Sequence, residues 1–172
     1  MAVDLRALFN AHYPATLRLL RRMGVPVAQL DDAAQEVFWV CARRLPDIRP
    51  GSETSFIYGV ALRVASDHTR RAVLVAVDLE DAASVPAEGP SPAERLDQRR
   101  ARELLDTVLD RMPLDLRTVF VLAELEEMEV RELAGVLEIP TGTAASRLRR
   151  AREEFSAIAR RLRAAWAREG AR

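Results

Sequence analysis

The sequence predicts an all-α protein of two small helical domains joined by a flexible acidic linker: an N-terminal helical bundle and a C-terminal four-helix domain. Three observations carry this. Apolar residues recur at three- and four-residue intervals through most of the 172 residues, the period of an amphipathic helix. Aromatic residues make up only 5% of the chain and glycines number seven, a composition that favours helix over sheet. From Ala72 to Ala93, "AVLVAVDLEDAASVPAEGPSPA", the helical period disappears among Pro86, Gly89, Pro90, Pro92 and several acids, the composition of a linker. The expected division is therefore 1–71, 72–93 and 94–172.

In the first module Leu5, Leu8, Phe9 and His12 share a helical stripe. It resumes after Pro14 with Thr16, Leu19, Leu20 and Met23 and stops at Gly24 and Pro26, so a kinked helix is expected. A second helix puts Leu30, Ala33, Ala34, Val37, Cys41 and Leu45 on one face and Asp32, Gln35, Glu36, Trp39 and Arg43 on the other. The loop "PDIRPGSE" follows. A third helix, from about residue 54 to 71, turns Ile57, Val60, Ala61, Val64 and His68 inward.

The second module opens with a helix whose apolar face is Leu96, Leu104, Leu105, Val108 and Met112, ending at Pro113. Leu116, Val119, Phe120 and Ala123 mark the next helix, and "ELEEME" is a polar break. A short helix over Val130 to Leu137 and a long one from about Gly142 complete the domain.

Composition also bounds function. A single cysteine, Cys41, excludes an intramolecular disulfide and fits a reducing compartment. The start "MAVDLRALFNAHYPATLRLL" is interrupted by acid, arginine and histidine, unlike the apolar core of a signal peptide. No apolar run approaches the roughly 20 residues that cross a bilayer. A cytoplasmic protein without membrane insertion is expected. Neither His12 nor His68 has further ligands at metal spacing, and no nucleophile–base pair or glycine-rich phosphate loop is visible. No metal, cofactor or catalytic residue is therefore expected, and the chain reads as a non-enzyme.

The net charge is zero, but it is unevenly spread. Residues 1–71 carry ten arginines and seven acids, and 138–172 carry nine arginines and four acids. The stretch 72–97 has one arginine against six acids, and 98–137 has six against nine. Two basic regions thus flank an acidic middle, a pattern compatible with nucleic-acid contact at both ends. All 26 basic residues are arginine, which reflects codon usage as readily as chemistry.

From Val130 to Phe155 the spacing has the plan of a helix-turn-helix. Val130, Leu133, Ala134 and Leu137 pack the short helix, Ile139 fills the turn, and Thr141 is placed to cap the long helix through its hydroxyl. The long helix buries Ala144, Leu148, Ala151 and Phe155. Its outer face has Gly142, Ser146, Arg149, Arg150 and Glu153, flanked by Thr143, Ala145 and Arg147. Small and polar residues near the N-terminus suit base edges, and arginines further along suit phosphates. A solvated arginine face of a plain bundle is the competing reading.

At this point the chain resembles a family. "LDRMPLDLRTVFVLAELEEMEVRELAGVLEIPTGTAASRLRRAREEF" looks like the promoter −35-binding domain of bacterial sigma factors, and "LDDAAQEVFWVCARRL" with "TSFIYGVALRVASDHTRR" looks like their −10 domain. Two such domains and a short linker resemble the extracytoplasmic-function (ECF) group of the sigma-70 family.

The resemblance implies a subunit that docks on core RNA polymerase, at the β′ clamp and β flap, and directs it to promoter DNA. It implies that Asp31, Asp32, Gln35, Glu36 and Trp39 meet the clamp, although Trp39 could equally pack on the first helix. It implies that Arg49, Ser52, Phe56, Tyr58, Arg63, Arg70 and Arg71 engage the −10 element, although Phe56 could be core. It implies −35 contacts from Thr141, Thr143, Ala145, Ser146, Arg147, Arg149 and Arg150, and an anti-sigma factor as a further partner. Three positions depart from the family pattern: Glu138 replaces the usual glycine of the turn, Glu129 a serine cap, and Ala145 a lysine. Two alternatives stand beside this reading: a helix-turn-helix regulator that ignores polymerase, and a degenerate sigma that only binds proteins.

Overall fold

The computed structural model describes residues 4–75 and 92–169, with side chains from 4 to 71 and from 99 to 168. Within them the chain forms seven α-helices and no strand: α1 (Leu5–Arg22), α2 (Leu30–Arg43), α3 (Glu53–Val75), α4 (Pro92–Arg111), α5 (Leu114–Phe120), α6 (Val130–Val136) and α7 (Thr141–Glu169). The expected linker lies mostly outside the described residues; its ends, 72–75 and 92–93, continue α3 and open α4. Leu96, expected on the apolar face of α4, has no described side chain.

Helices α1, α2 and α3 pack on one another. Asp4 caps α1, its carboxylate accepting the Ala7 N–H at 3.0 Å. The helix runs continuously through Pro14. It ends where Gly24 adopts φ +90° and the Val25 N–H reaches back to the Leu20 carbonyl at 3.1 Å, a closure that needs a residue free of the left-handed penalty. Leu19, Leu20, Ala33, Ala34, Val37, Cys41, Ile57 and Ala61 are fully enclosed. Each large aliphatic among them contributes about 1.5–3 kcal/mol of burial. Phe38 joins this core through Phe9, whose ring lies 4.8 Å away. Ile48, in the segment expected as a plain loop, is also buried and anchors it.

Burial pushes the Cys41 thiol up to about 11 from its ordinary 9.0, because no nearby cation compensates the desolvated thiolate. The thiolate population near neutral pH is then about a hundredfold lower than for a free thiol. A disulfide reagent at pH 8 should modify the native chain at least that much more slowly than the urea-unfolded chain; comparable rates would place Cys41 outside the core.

Around α7, the helices α4, α5 and α6 form the second cluster. Phe120 of α5 stacks on Phe155 of α7 at 4.4 Å. Beyond Phe155 the tail continues the same helix, burying Ile158, Ala159 and Leu162 and leaving Trp166 on the surface. After α5 the chain widens into a π-turn over Val121–Leu125, with the Glu126 N–H on the Val121 carbonyl at 3.0 Å. Glu127 then takes φ 55°, a conformation that costs a non-glycine residue about 1 kcal/mol. Together these two features end the helix and set the direction of the Glu126 side chain.

Candidate functional site

The turn between α6 and α7 closes by backbone bonds: the Ile139 N–H donates to Ala134 at 3.0 Å and the Glu138 N–H to Gly135 at 3.2 Å. This geometry puts Glu138 at φ 55°, where a glycine would carry no penalty. Thr141 does not stand at the cap position expected of it. Thr141 is the first residue of α7 rather than its cap, and the Ala144 N–H goes to the Pro140 carbonyl at 3.0 Å. Glu129 occupies the N-cap of α6 without a side-chain cap bond.

Ala144, Leu148 and Ala151 are buried and Phe155 is half-buried, so the opposite face of α7 is free. Thr141, Gly142, Ala145, Ser146, Arg149 and Arg150 are exposed, and Thr143 and Arg147 lie half-exposed beside them. The Ser146 hydroxyl donates to the Thr143 carbonyl at 2.9 Å. Arg149 pairs with Glu153 one turn on at 3.0 Å, while Arg152 is drawn back to Glu124 at 2.7 Å. Arg147 and Arg150 have no acid within ion-pair distance among the described residues. The face can therefore present cations and small hydrogen-bonding groups to a polyanion.

On α2, Asp31, Asp32, Gln35, Glu36 and Trp39 lie on one exposed face, as their spacing requires. Trp39 is 59% exposed, with the Arg43 guanidinium 4.6 Å from its ring centre; the aromatic residues of α1 take Phe38 instead. Tyr13 donates to Asp31 at 3.3 Å, and burial, followed by the Asp31 charge, raises its phenol above the usual range. Glu36 meets His68 Nε2 at 3.2 Å, and Gln29 holds Nδ1 at 3.0 Å. His68 is thus a buried, hydrogen-bonded strut between α2 and α3.

The residues expected at the −10 element are spread along the next segment. Ser52 donates to the Arg49 carbonyl at 2.9 Å, which folds the loop ahead of α3. Phe56 is half-buried, with the Arg44 guanidinium 5.3 Å from its ring centre. Arg63 is exposed. Arg70 and Arg71 are exposed further along α3, about 21 Å from Phe56 by helical rise. Tyr58 is not on this open surface: it is 4% exposed, and its hydroxyl donates to Glu126 at 2.7 Å. Burial first, then the Glu126 hydrogen bond and charge, raise the Tyr58 phenol well above its ordinary value.

Sequence reasoning missed the residues that join the two helical groups. Glu126 accepts from Arg22 at 2.6 Å as well as from Tyr58. Ser55 donates to Glu132, and Arg63 to Glu138 at 3.0 Å. Arg21 pairs with Asp106 at 2.6 Å. Arg117 reaches the Arg22 carbonyl at 3.4 Å and Asp110 at 3.3 Å, but its Nε–H is buried without a partner. Desolvation lowers the Arg117 pKa, and Asp110 partly offsets this. No local signal marks these pairs, since Arg22 and Glu126 are 104 positions apart.

A helical module with an exposed acidic and tryptophan-bearing face is thus joined in one chain to a helix-turn-helix with an exposed arginine-bearing face. Comparison with known proteins gives the family. Residues 8–73 match the model of sigma-70 region 2 and residues 102–155 that of sigma-70 region 4. The RNA polymerase sigma-H factor of Pseudomonas aeruginosa is 32% identical over 164 residues, covering 88% of this chain and 83% of that protein. The ECF RNA polymerase sigma-E factor of Escherichia coli K12 is 28% identical over 139 residues, covering 75% and 73%. The ECF sigma factor SigE of Mycolicibacterium smegmatis is 27% identical over 150 residues, and the chain spans 86% of itself but only 58% of that relative.

Two solved structures share the fold. One is sigma factor RpoE from Bartonella quintana, crystallised with the anti-sigma factor NepR (TM-score 0.73, 17% identity, covering 90% of this chain and 96% of that one). The other is CnrH, in complex with the cytosolic domain of CnrY (TM-score 0.65, 24% identity, covering 90% and 86%). The chain belongs to the sigma-70 family, in its extracytoplasmic-function group. None of its described helices is long and apolar enough to cross a membrane.

Proposed function

We propose that the protein is an alternative sigma factor: it binds core RNA polymerase, directs it to promoters through −35 and −10 elements, aids duplex opening and catalyses no reaction itself. The observation that carries this reading is the pairing, in one chain, of a solvent-exposed acidic face on α2 with a solvent-exposed arginine-bearing face on α7. The helices through Val75 form the polymerase-docking and −10 module, and those from Pro92 on form the −35 module. Asp31, Asp32, Gln35, Glu36 and Trp39 meet the β′ clamp, with acids and amide pairing to basic residues and Trp39 as the anchor. The second module meets the β flap and promoter DNA. An anti-sigma factor is the further partner, consistent with the complexes formed by the solved neighbours. The protein works in the cytoplasm, where polymerase and promoters are.

Co-purification tests this first. A tagged chain should retain core polymerase on a column; a chain that binds promoter duplex but passes polymerase through would instead be a stand-alone helix-turn-helix regulator. Arg149 is exposed on the reading helix and held only by Glu153. Arg149→Ala should weaken −35-dependent transcription by the equivalent of about 1–3 kcal/mol, measured as run-off product against promoter concentration. Unchanged output would remove Arg149 from the contact set and shift the role to Arg147 and Arg150.

A further inference from the structure

The cationic face of α7 does not stop where the helix-turn-helix ends. The match to sigma-70 region 4 closes at residue 155, yet α7 continues to Glu169. Arg149 and Arg150 recur eleven residues on as Arg160 and Arg161, and eleven residues make three helical turns plus about 20°. Both pairs therefore lie on one side of the helix, about 16 Å apart. Arg163 stands beside the second pair, and all three tail arginines are exposed. Ile158, Ala159 and Leu162 are buried on the opposite side, which fixes the tail in register with the rest of α7.

Helix stability does not account for these arginines. A cation favours a helix C-terminus only within the last turn, which covers Arg168 but not Arg160, Arg161 or Arg163. Arg160 and Arg163 are neighbours three positions apart, and like charges at such spacing work against the helix. Solvation does not account for them either. In the same module α4 mixes five arginines with five acids, whereas residues 156–168 hold four arginines and no acid. Among the described residues, none of the three has an acid within ion-pair distance. Arg160 uses only its Nε–H, on the Ser156 carbonyl at 3.3 Å.

Guanidinium groups without acids suit a polyanion, and continuity selects which one. The first turns of α7 carry the small and polar residues that suit base edges, and Arg149 and Arg150 follow on the same face. A second pair about 16 Å further on falls outside a major groove about 12 Å wide, where the duplex offers phosphates and no base edge. We propose that Arg160, Arg161 and Arg163 are a second DNA contact, which holds the duplex by its phosphates beside the element read by the first turns of α7, whatever the sequence there. This contact rests on the reading of α7 as the DNA-facing helix of a sigma factor, and it makes the grip on a promoter more dependent on ionic strength.

The salt dependence of DNA binding tests it. The full chain bound to core polymerase is titrated onto two labelled duplexes, a promoter that it transcribes and a random sequence of equal length, between about 50 and 200 mM salt. Replacing the three residues together (Arg160→Gln, Arg161→Gln, Arg163→Gln) should make the slope of log K against log salt shallower by about 2.7 on both duplexes, at about 0.9 per phosphate contact. The affinity advantage of the wild type should accordingly shrink by about 40-fold across that range. The corresponding lysine triple variant should keep the wild-type slope, since lysine binds phosphate as a point charge. Circular dichroism should show equal helix content in all forms, because Arg, Lys and Gln have similar helix propensities. An unchanged slope in the glutamine variant overturns the contact. So does a change confined to the promoter duplex, which would make these arginines base readers, and so does a lysine variant that behaves like the glutamine one. Loss of polymerase retention at an unchanged slope assigns the face to a protein partner and equally overturns it. If no form binds polymerase, the sigma reading fails; the same salt series with the full chain alone on the random duplex then decides the contact by itself.

Discussion

Leu133→Ala should lower the stability of the C-terminal module by about 2–5 kcal/mol, the range for deleting a fully enclosed leucine. Leu133 is 0% exposed at the centre of α6. α6 packs on α7, and the small residues Ala134 of α6 and Ala144 of α7 are both buried. Side chains that small cannot reach into the vacated volume, so the cavity stays and the cost falls toward the upper part of the range. α6 has only seven residues, too few to hold a helix without tertiary packing. Loss of its anchor should therefore release α7's reading face from a fixed orientation. Urea denaturation followed by circular dichroism checks this: the unfolding midpoint should move to lower urea by that amount. A shift below 1 kcal/mol would mean that α6 is not fixed through Leu133.

Asp32→Arg should weaken binding to core polymerase by tenfold or more, because like charges brought together at an interface cost several kcal/mol. Asp32 is exposed, in the first turn of α2. Reversing an acid there also forfeits a favourable interaction with the helix N-terminus, but only about 0.3–1 kcal/mol. The two effects are separable. A variant that melts nearly like the wild type and no longer retains polymerase places the docking interface on α2. Normal retention would move that interface elsewhere on the chain.

Most of the fold was legible because it rests on local periodicity. Ala33, Ala34, Val37 and Cys41, and likewise Ala144, Leu148 and Ala151, are buried where helical spacing puts them. Three features were not legible, each for a physical reason. Ile48 sits in a proline- and glycine-bounded loop, where no periodicity exists to show which side chain turns inward. The π-turn at Val121–Leu125 adds one residue to a helical repeat, and the sequence "ELEEME" reads only as a polar break. Thr141 has the right chemistry for a cap, but Pro140 offers its carbonyl to the Ala144 N–H first.

The candidate site divides the same way. The exposed faces of α2 and α7 follow from the helical period and were read from spacing. Tyr58 did not follow: an amphiphilic side chain on a mixed face can turn to solvent or to a partner, and its partner Glu126 is 68 positions away. Glu138 is the instructive position. Sequence alone marks it as an odd substitution in a turn that suits glycine, and only its bond to Arg63 gives the carboxylate something to do.

Run-off transcription with purified core enzyme, this chain and fragments of its own genome tests whether the chain gives polymerase its promoter. Defined start sites should appear only when core and chain are both present and should vanish with Asp32→Arg. Core enzyme that binds the chain yet yields no specific start would contradict it.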